Sequence, residues 1–374
     1  MRSSRRSVPS LTSEAACDEH RALLLTSASR AGGTADITIG RSDFERMFRL
    51  EESDLPEKAL HLLKKYNLTC RPPTSEELDD YLLTCVSLAR KDSLARSREQ
   101  NFIAFEEGWG ENLKELKSAS LEGLETAIKP KYFRGSRYLR YDNRIVVTEN
   151  LQLEYELFVI ARLCLFHKYL NHAETVVELG CGTCSNLLLL STMFPHSRLV
   201  GLDWTTASSE IAAELSRRLS SPISGHVFDM FAPDFGLDIQ KGSAIISIHA
   251  FEQLGRQFDA ILEFILAAQP SVVVQYEPVL EFFGDSGLDR LALDYCRSRG
   301  YLEGYHRRLL DMEEDGRIVI LAAYRPYLGG VFHEHSVLVW RPVASANNDA
   351  DRSGGAASPL SQRRLPGRSV LGKT

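Results

Sequence analysis

The chain has 374 residues, 44% of them hydrophobic and 25% charged, enough for one large or two modest domains with proper cores. No apolar run approaches the ~20 residues that a bilayer-crossing helix needs. Residues 1–34 and 343–374 carry net charges of +2 and +3, which leaves -11 on residues 35–342 within a total of -6, and an acidic body of this kind argues against a nucleic-acid substrate.

Arg2, Arg5 and Arg6 precede no extended apolar region, which speaks against a secretory signal. The Ser- and Arg-rich start has the composition of a transit peptide, but Glu14, Asp18 and Glu19 weigh against one. Residues 1–40 and 343–374 read as disordered tails. Between them, 41–150 reads as a helical N-terminal domain. Leu60, Leu62, Leu63 and Tyr66 suggest one helix, and Thr74 with Glu77 has the spacing of a capping box for another that carries Leu78, Tyr81, Leu82 and Val86. Phe102, Phe105, Trp109, Leu113 and Leu116 mark a third. At its end, Lys129, Lys131, Arg134, Arg137, Arg140 and Arg144 alternate with Tyr132, Phe133, Tyr138 and Tyr141. This run is either a linker whose aromatics dock on the core or a lid whose cations meet an anionic substrate.

Residues 175–203, TVVELGCGTCSNLLLLSTMFPHSRLVGLD, read as a strand (175–179), a glycine-rich turn, a helix (186–193) and a second strand (198–202) that ends at Asp203. Gly180 and Gly182 stand where the chain must turn sharply and let a ligand approach its backbone, and the first amides of the helix point at the same place. A carboxylate at Asp203 is placed to take both hydroxyls of a ribose, so an adenosyl ligand is expected. A dinucleotide turn wants a third glycine where Ser185 stands, and Glu178 sits badly beside a pyrophosphate but well beside a cation.

Glu178, Gly180 and Gly182 resemble the first motif of the S-adenosylmethionine-dependent methyltransferases with a Rossmann-like fold, and Asp203 matches that family's ribose-binding acid. The likeness covers about residues 150–342. It implies a seven-stranded, mostly parallel α/β sheet with an antiparallel last strand, on a methyltransferase domain of residues 151–342. Further strands near 224–228, 243–248 and 271–276 alternate with helices near 208–219, 258–268 and 288–299, and two final strands near 317–324 and 335–340 have no helix between them. In the resembled family an acid at Asp229 holds the adenine amino group, framed by Phe228 and Met230. Cys181, Asn186 and Trp204, beside the glycines and Asp203, complete the cofactor-binding set that the resemblance implies. Helical additions in that family cover the substrate pocket or form a homodimer surface.

Methyl transfer to a hydroxyl requires an aligned acceptor and removal of its proton. His249, at the end of the fourth strand, is the expected base; Glu252 is placed to orient it or to accept from a sugar hydroxyl, and Glu277 ends the next strand. The sequence lacks the N-P-P-Y or D-P-P-Y box of amino-methylating nucleic-acid enzymes and the Pro-Cys nucleophile of cytosine-5 enzymes, which favours a small-molecule acceptor. FEEGWGENL, PKYFRGSRYLRYDNRI, HAFEQL and YEPVLEFF resemble bacterial sugar O-methyltransferases, making a sugar or sugar-containing compound the first acceptor to consider. Other readings are a small-molecule N-methyltransferase, a nicotinamide-dependent oxidoreductase, which Glu178 and Ser185 disfavour, and a non-catalytic scaffold.

Seven scattered cysteines without paired spacing fit a reducing cytoplasm. Cys181 and Cys184 form C-G-T-C at a helix start, where a thiol pKa is lowered, but a redox motif would leave Glu178, both glycines and Asp203 without a purpose. His333, Glu334 and His335 put two imidazoles on one face of an extended chain. With no third ligand identifiable from sequence, they read as a polar loop, and no metal is expected.

Overall fold

Short, largely aliphatic and β-branched runs pair into one seven-stranded sheet in the computed structural model, which describes residues 35–89 and 95–343. In chain order the strands are β1 (Thr175–Leu179), β2 (Arg198–Asp203), β3 (Ile223–Val227), β4 (Ala244–Ile248), β5 (Val272–Glu277), β6 (Ile318–Tyr324) and β7 (Ser336–Pro342). Their spatial order is β6-β7-β5-β4-β1-β2-β3. All neighbours from β5 to β3 run parallel, and β7 lies antiparallel to both β5 and β6. This is the Rossmann-like α/β sheet with an antiparallel last strand that the sequence predicts.

Side chains alternate between two apolar layers because successive residues of a strand point to opposite faces. Ile246, Val274 and Val339 enter one layer, while Ile245, Val273 and Leu338 enter the other. The first layer is closed by helices α2 (Leu153–Leu170), α3 (Ser185–Met193) and α4 (Thr206–Leu219), the second by α5 (Asp259–Ala268) and α7 (Tyr305–Glu314). Helix α2 shows no clear apolar face because it is mostly buried, with even Arg162 enclosed. Helix α7 is charged overall and buries only Tyr305, Leu309 and Met312, a narrow stripe at spacings of four and three.

The first layer also takes in Phe44, Phe48, Leu62, Trp109 and Leu116, so residues on both sides of position 150 share one apolar cluster. The described residues up to Pro342 belong to one compact unit. N-terminal helices occupy Arg41–Met47, Glu57–Lys65 and Ser75–Ala89, followed by α1 (Arg98–Ser118). The capping box forms as expected: the Glu77 amide donates to Thr74 Oγ1 at 3.2 Å and the Thr74 amide to Glu77 Oε2 at 2.9 Å. Among the described residues, no helix is long and apolar enough to cross a membrane.

The basic, aromatic run folds differently from a lid of cations. Tyr138–Tyr141 and Arg144–Val147 pair as a hairpin through Asp142 and Asn143, both at positive φ (49° and 62°), as a two-residue type I′ turn demands. Leu328–Gly329 adds a third strand. Tyr138 stacks on Tyr81 with centroids 3.9 Å apart, and Phe133 packs on Phe158. Lys131 pairs with Glu111 and Glu115, Arg137 with Glu149 and Arg144 with Asp142, while Arg140 is fully buried. These cations answer carboxylates of the chain itself.

Arg140 belongs to a sealed group of four charges. It reaches Asp289 at 2.5 Å and Glu334 at 3.3 Å; Arg325 reaches Asp289 at 2.8 Å and also pairs with Glu334. None of the four side chains is more than 5% exposed. Two cations and two anions balance, and the group ties the hairpin to the first turn of α6 (Gly287–Arg299) and to the loop before β7. Removing one partner from such a set leaves a buried charge uncompensated. Glu334→Gln should therefore lower the unfolding free energy by about 3–5 kcal/mol, read from urea denaturation. A loss below about 1 kcal/mol, the scale of an exposed pair, would mean that water reaches the group.

Candidate active site

Strand order reverses between β4 and β1, so the two loops leaving these strands diverge and open a crevice at their carboxyl ends. After β1 the chain turns through Gly180 (φ 73°) and Gly182 (φ 48°), a conformation that glycine adopts freely. Space excludes a side chain at Gly180, where a Cβ would sit 2.4 Å from Cβ of Ala250, and a Cβ on Gly182 would press on the Trp109 ring at 3.2 Å.

Glu178 is fully buried beneath this turn. Its Oε1 accepts from Asn186 Nδ2 at 2.5 Å, and Asn186 Oδ1 accepts from the buried Arg162 at 2.5 Å, while Oε2 has no partner. Burial pushes the Glu178 carboxyl up to about 8 against the opposing pull of Asn186 and Arg162. Asp203 ends β2 and holds the turn: Oδ2 accepts from the Gly182 amide at 2.9 Å, and Oδ1 from the amide and hydroxyl of Thr205 at 3.0 and 2.7 Å. Burial also raises its pKa, opposed by these bonds. Asp229 pairs with Arg98 and accepts from the Phe231 amide at 2.9 Å.

The crevice is lined by Gly180, Gly182, Asp203, Trp204, Phe228, Asp229, Met230 and His249, all expected from sequence. Phe105, Trp109, Phe231, Ala250, Gln253 and Leu254 line it too and were not expected. Phe105 and Trp109 come from α1, which Glu106 docks by accepting from the Thr206 and Ala207 amides at the start of α4. Their spacing on an apolar helix face is visible in the sequence; their destination is not. Cys181, expected beside the ligand, turns its sulfur toward Gly201 in β2 and lies 3.8 Å from Cys184 Sγ. Contact with Cys184 and burial hold the Cys181 thiol well above its usual pKa, the opposite of an activated redox cysteine. Cys17 lies outside the described residues.

On the far side of the crevice, His249 leaves β4 at φ 59°, a strained angle for a residue with a side chain. Glu277 enforces it. This buried carboxylate accepts from Ser247 Oγ at 2.5 Å and from the Ala250 and Phe251 amides at 2.9 to 3.1 Å, so its acceptor capacity is spent on the turn. Burial and the neighbouring Glu252 push its carboxyl up to about 7. Glu252 sits on the next short turn, with Oε2 paired to His249 Nδ1 at 2.9 Å. Burial lowers the His249 pKa, yet the carboxylate of Glu252, followed by Glu277 and Glu154, outweighs it and the net shift is upward. The Tyr132 ring stands edge-on to this imidazole at 5.0 Å.

Residues 333–335 form the loop before β7, as expected, and the fold brings other titratable side chains to it. Both imidazoles approach His249, with ring centroids at 5.6 Å for His333 and 4.9 Å for His335, while Glu334 turns away into the four-charge group. Burial pushes His333 down to about 4, so it is neutral near pH 7. His249, Glu252 and His333 each offer a ligand atom within 4.8 Å of the other two.

No family model matches the sequence, and no curated protein is recognisably similar to it. Among solved structures, the chain is similar to geranyl diphosphate C-methyltransferase from Streptomyces coelicolor A3(2), in complex with Mg2+, geranyl diphosphate and S-adenosyl-L-homocysteine, at 14% identity and TM-score 0.37, over 52% of this chain and 85% of that one. It is likewise similar to a Pyrococcus horikoshii OT3 protein (17% identity, TM-score 0.39, 51% and 92% covered) and to the [4+2]-cyclase SpnF (14%, 0.38, 50% and 81%). At these scores the fold assignment rests on the strand order itself.

Proposed function

We propose that the protein is an S-adenosylmethionine-dependent methyltransferase acting on an oxygen of a small molecule, with a sugar or sugar-containing compound as the first acceptor to test. The observation that carries this reading is the buried Glu178 carboxylate with one unpartnered oxygen, set beneath the positive-φ Gly180–Gly182 turn at the switch point. A cationic ligand would favour the ionised form of this carboxyl, which burial disfavours in the ligand-free protein, and a pyrophosphate would not. S-adenosylmethionine supplies an electrophilic methyl group on a sulfonium.

The chain's own residues supply the rest. Gly180 and Gly182 leave the turn bare for close approach, Asp203 has lone pairs beyond those spent on Gly182 and Thr205 for ribose hydroxyls, and Trp204, Phe228 and Met230 offer apolar surface for a base. Asp229 is placed for an adenine amino group once shared with Arg98. His249 takes the acceptor's hydroxyl proton, and Glu252 stabilises the imidazolium that results. Glu277 is a positioning residue that holds the His249 turn. The sugar preference rests on the four segments that resemble sugar O-methyltransferases.

Asp203→Ala should weaken S-adenosylhomocysteine binding by ~1.5–3 kcal/mol, the scale of charge-assisted bonds, as measured by calorimetry. Equal binding by wild type and variant would remove the ribose assignment, and binding of NAD in place of S-adenosylhomocysteine would replace the whole reading.

The folded Glu178 pKa of about 8 lies above the unfolded value near ~4.3. Its contribution to stability is thus complete below that lower value and is lost as pH rises through the folded one. Ligand-free wild type should lose stability from about pH 5 to pH 8 relative to Glu178→Gln, whose urea midpoints should follow a flatter profile. Parallel profiles would mean that the carboxyl stays hydrated.

His249→Ala should lower kcat by ~10²–10⁴ with cofactor affinity retained. Because Glu252 raises the His249 pKa, Glu252→Gln should move the rising limb of the pH–rate profile to lower pH. A limb that stays in place would assign the base elsewhere.

A further inference from the structure

His249, Glu252 and His333 come from two distant parts of the chain and meet with their ligand atoms within 4.8 Å of one another. Among the described residues, Nδ1 of His333 is buried without a hydrogen-bond partner, while Nδ1 of His249 and Oε2 of Glu252 face each other at 2.9 Å as an ion pair. Buried polar atoms are nearly always satisfied, so an orphaned imidazole nitrogen beside an imidazole–carboxylate pair calls for a partner. The Glu252 side chain is 4% exposed and that of His249 is 9% exposed, which leaves little room for bulk water to serve.

We propose that these three residues bind a divalent transition-metal ion of the zinc, cobalt, nickel, manganese or iron(II) class. The donor set argues for that class. Two imidazoles and one carboxylate are borderline nitrogen and oxygen donors, whereas magnesium and calcium require nearly all-oxygen shells. Ligand atoms about 2.0–2.2 Å from one ion in a tetrahedral site lie about 3.3–3.6 Å apart, so the cluster, with its ligand atoms within 4.8 Å, closes on an ion by a contraction of up to about 1.3 Å. Side-chain rotation supplies that.

Their supports are already rigid. Glu277 fixes the turn that carries His249, and the short turn Phe251–Leu254 presents Glu252 directly after it. His333 precedes Glu334, which the two buried arginines anchor. Three protein ligands leave coordination positions open for water or for an acceptor's oxygen. An ion on Nδ1 and a proton received by a neutral imidazole are alternative states of His249. The inference thus reaches beyond the methyl-transfer reading and does not require it.

The test uses the full-length protein, freed of metal with a chelator and titrated with Co2+ as a spectroscopic probe. Wild type should take up one equivalent and develop visible ligand-field absorption, with Zn2+ displacing the cobalt. His333→Ala and Glu252→Gln should each lose affinity by at least the ~10–100-fold that even an outer-shell defect costs. No stoichiometric uptake by wild type, or equal uptake by wild type and both variants, overturns the proposal. Circular dichroism and S-adenosylhomocysteine calorimetry on the same samples separate it from misfolding and from the methyltransferase reading. A protein that binds S-adenosylhomocysteine but no cobalt loses only the metal site.

Discussion

The carboxylate of Glu277, sealed at the end of β5, gathers the Ser247 hydroxyl and the amides of Ala250 and Phe251, and those bonds bend the chain after β4 so sharply that His249 takes a positive φ. Ala250 is thereby pressed against Gly180, which cannot accept a side chain. Asp203 plays the matching part across the switch point by holding the Gly182 amide. Both acids accept from backbone amides and from a neighbouring hydroxyl. Glu178, equally buried, keeps one oxygen without a partner, and Glu252 pairs with His249. Four buried acids thus share one sheet edge, and their hydrogen bonding differs from one to the next.

The N-terminal region completes the site from outside the sheet. Trp109 covers Gly182, Phe105 lines the same wall, and Arg98 pairs with Asp229 while its guanidinium lies 4.7 Å over the Phe231 ring. Glu106 anchors this helix on the first amides of α4, where a carboxylate is favoured by unpaired N–H groups. A ligand in the crevice would therefore touch α1 as well as the strand ends.

The four buried charges carry a different burden. Their burial opposes stability unless every partner is present, so they specify where the hairpin, α6 and the loop before β7 meet more than they strengthen the fold. That placement delivers His333 and His335 to His249.

The sequence by itself determined the sheet, because strand periodicity, glycine turns and the Gly182-to-Asp203 spacing are local steric and polar constraints that act whatever surrounds them. It likewise placed Glu178, Asp203, Asp229 and His249 at strand ends, where the crevice formed. Helix α2 was hidden because it buries residues on nearly every side, Arg162 among them, and so shows no clear apolar face, and α7 because its apolar stripe is narrow. Only the tertiary structure decided what depends on desolvation and long-range contact. Arg140 reads locally as one cation of a solvated run, yet packing sealed it among Asp289, Glu334 and Arg325. His333 had no partner within reach along the chain, and the antiparallel return of β7 beside β5 brought it to His249 and Glu252, since strand pairing joins residues without regard to their separation in sequence.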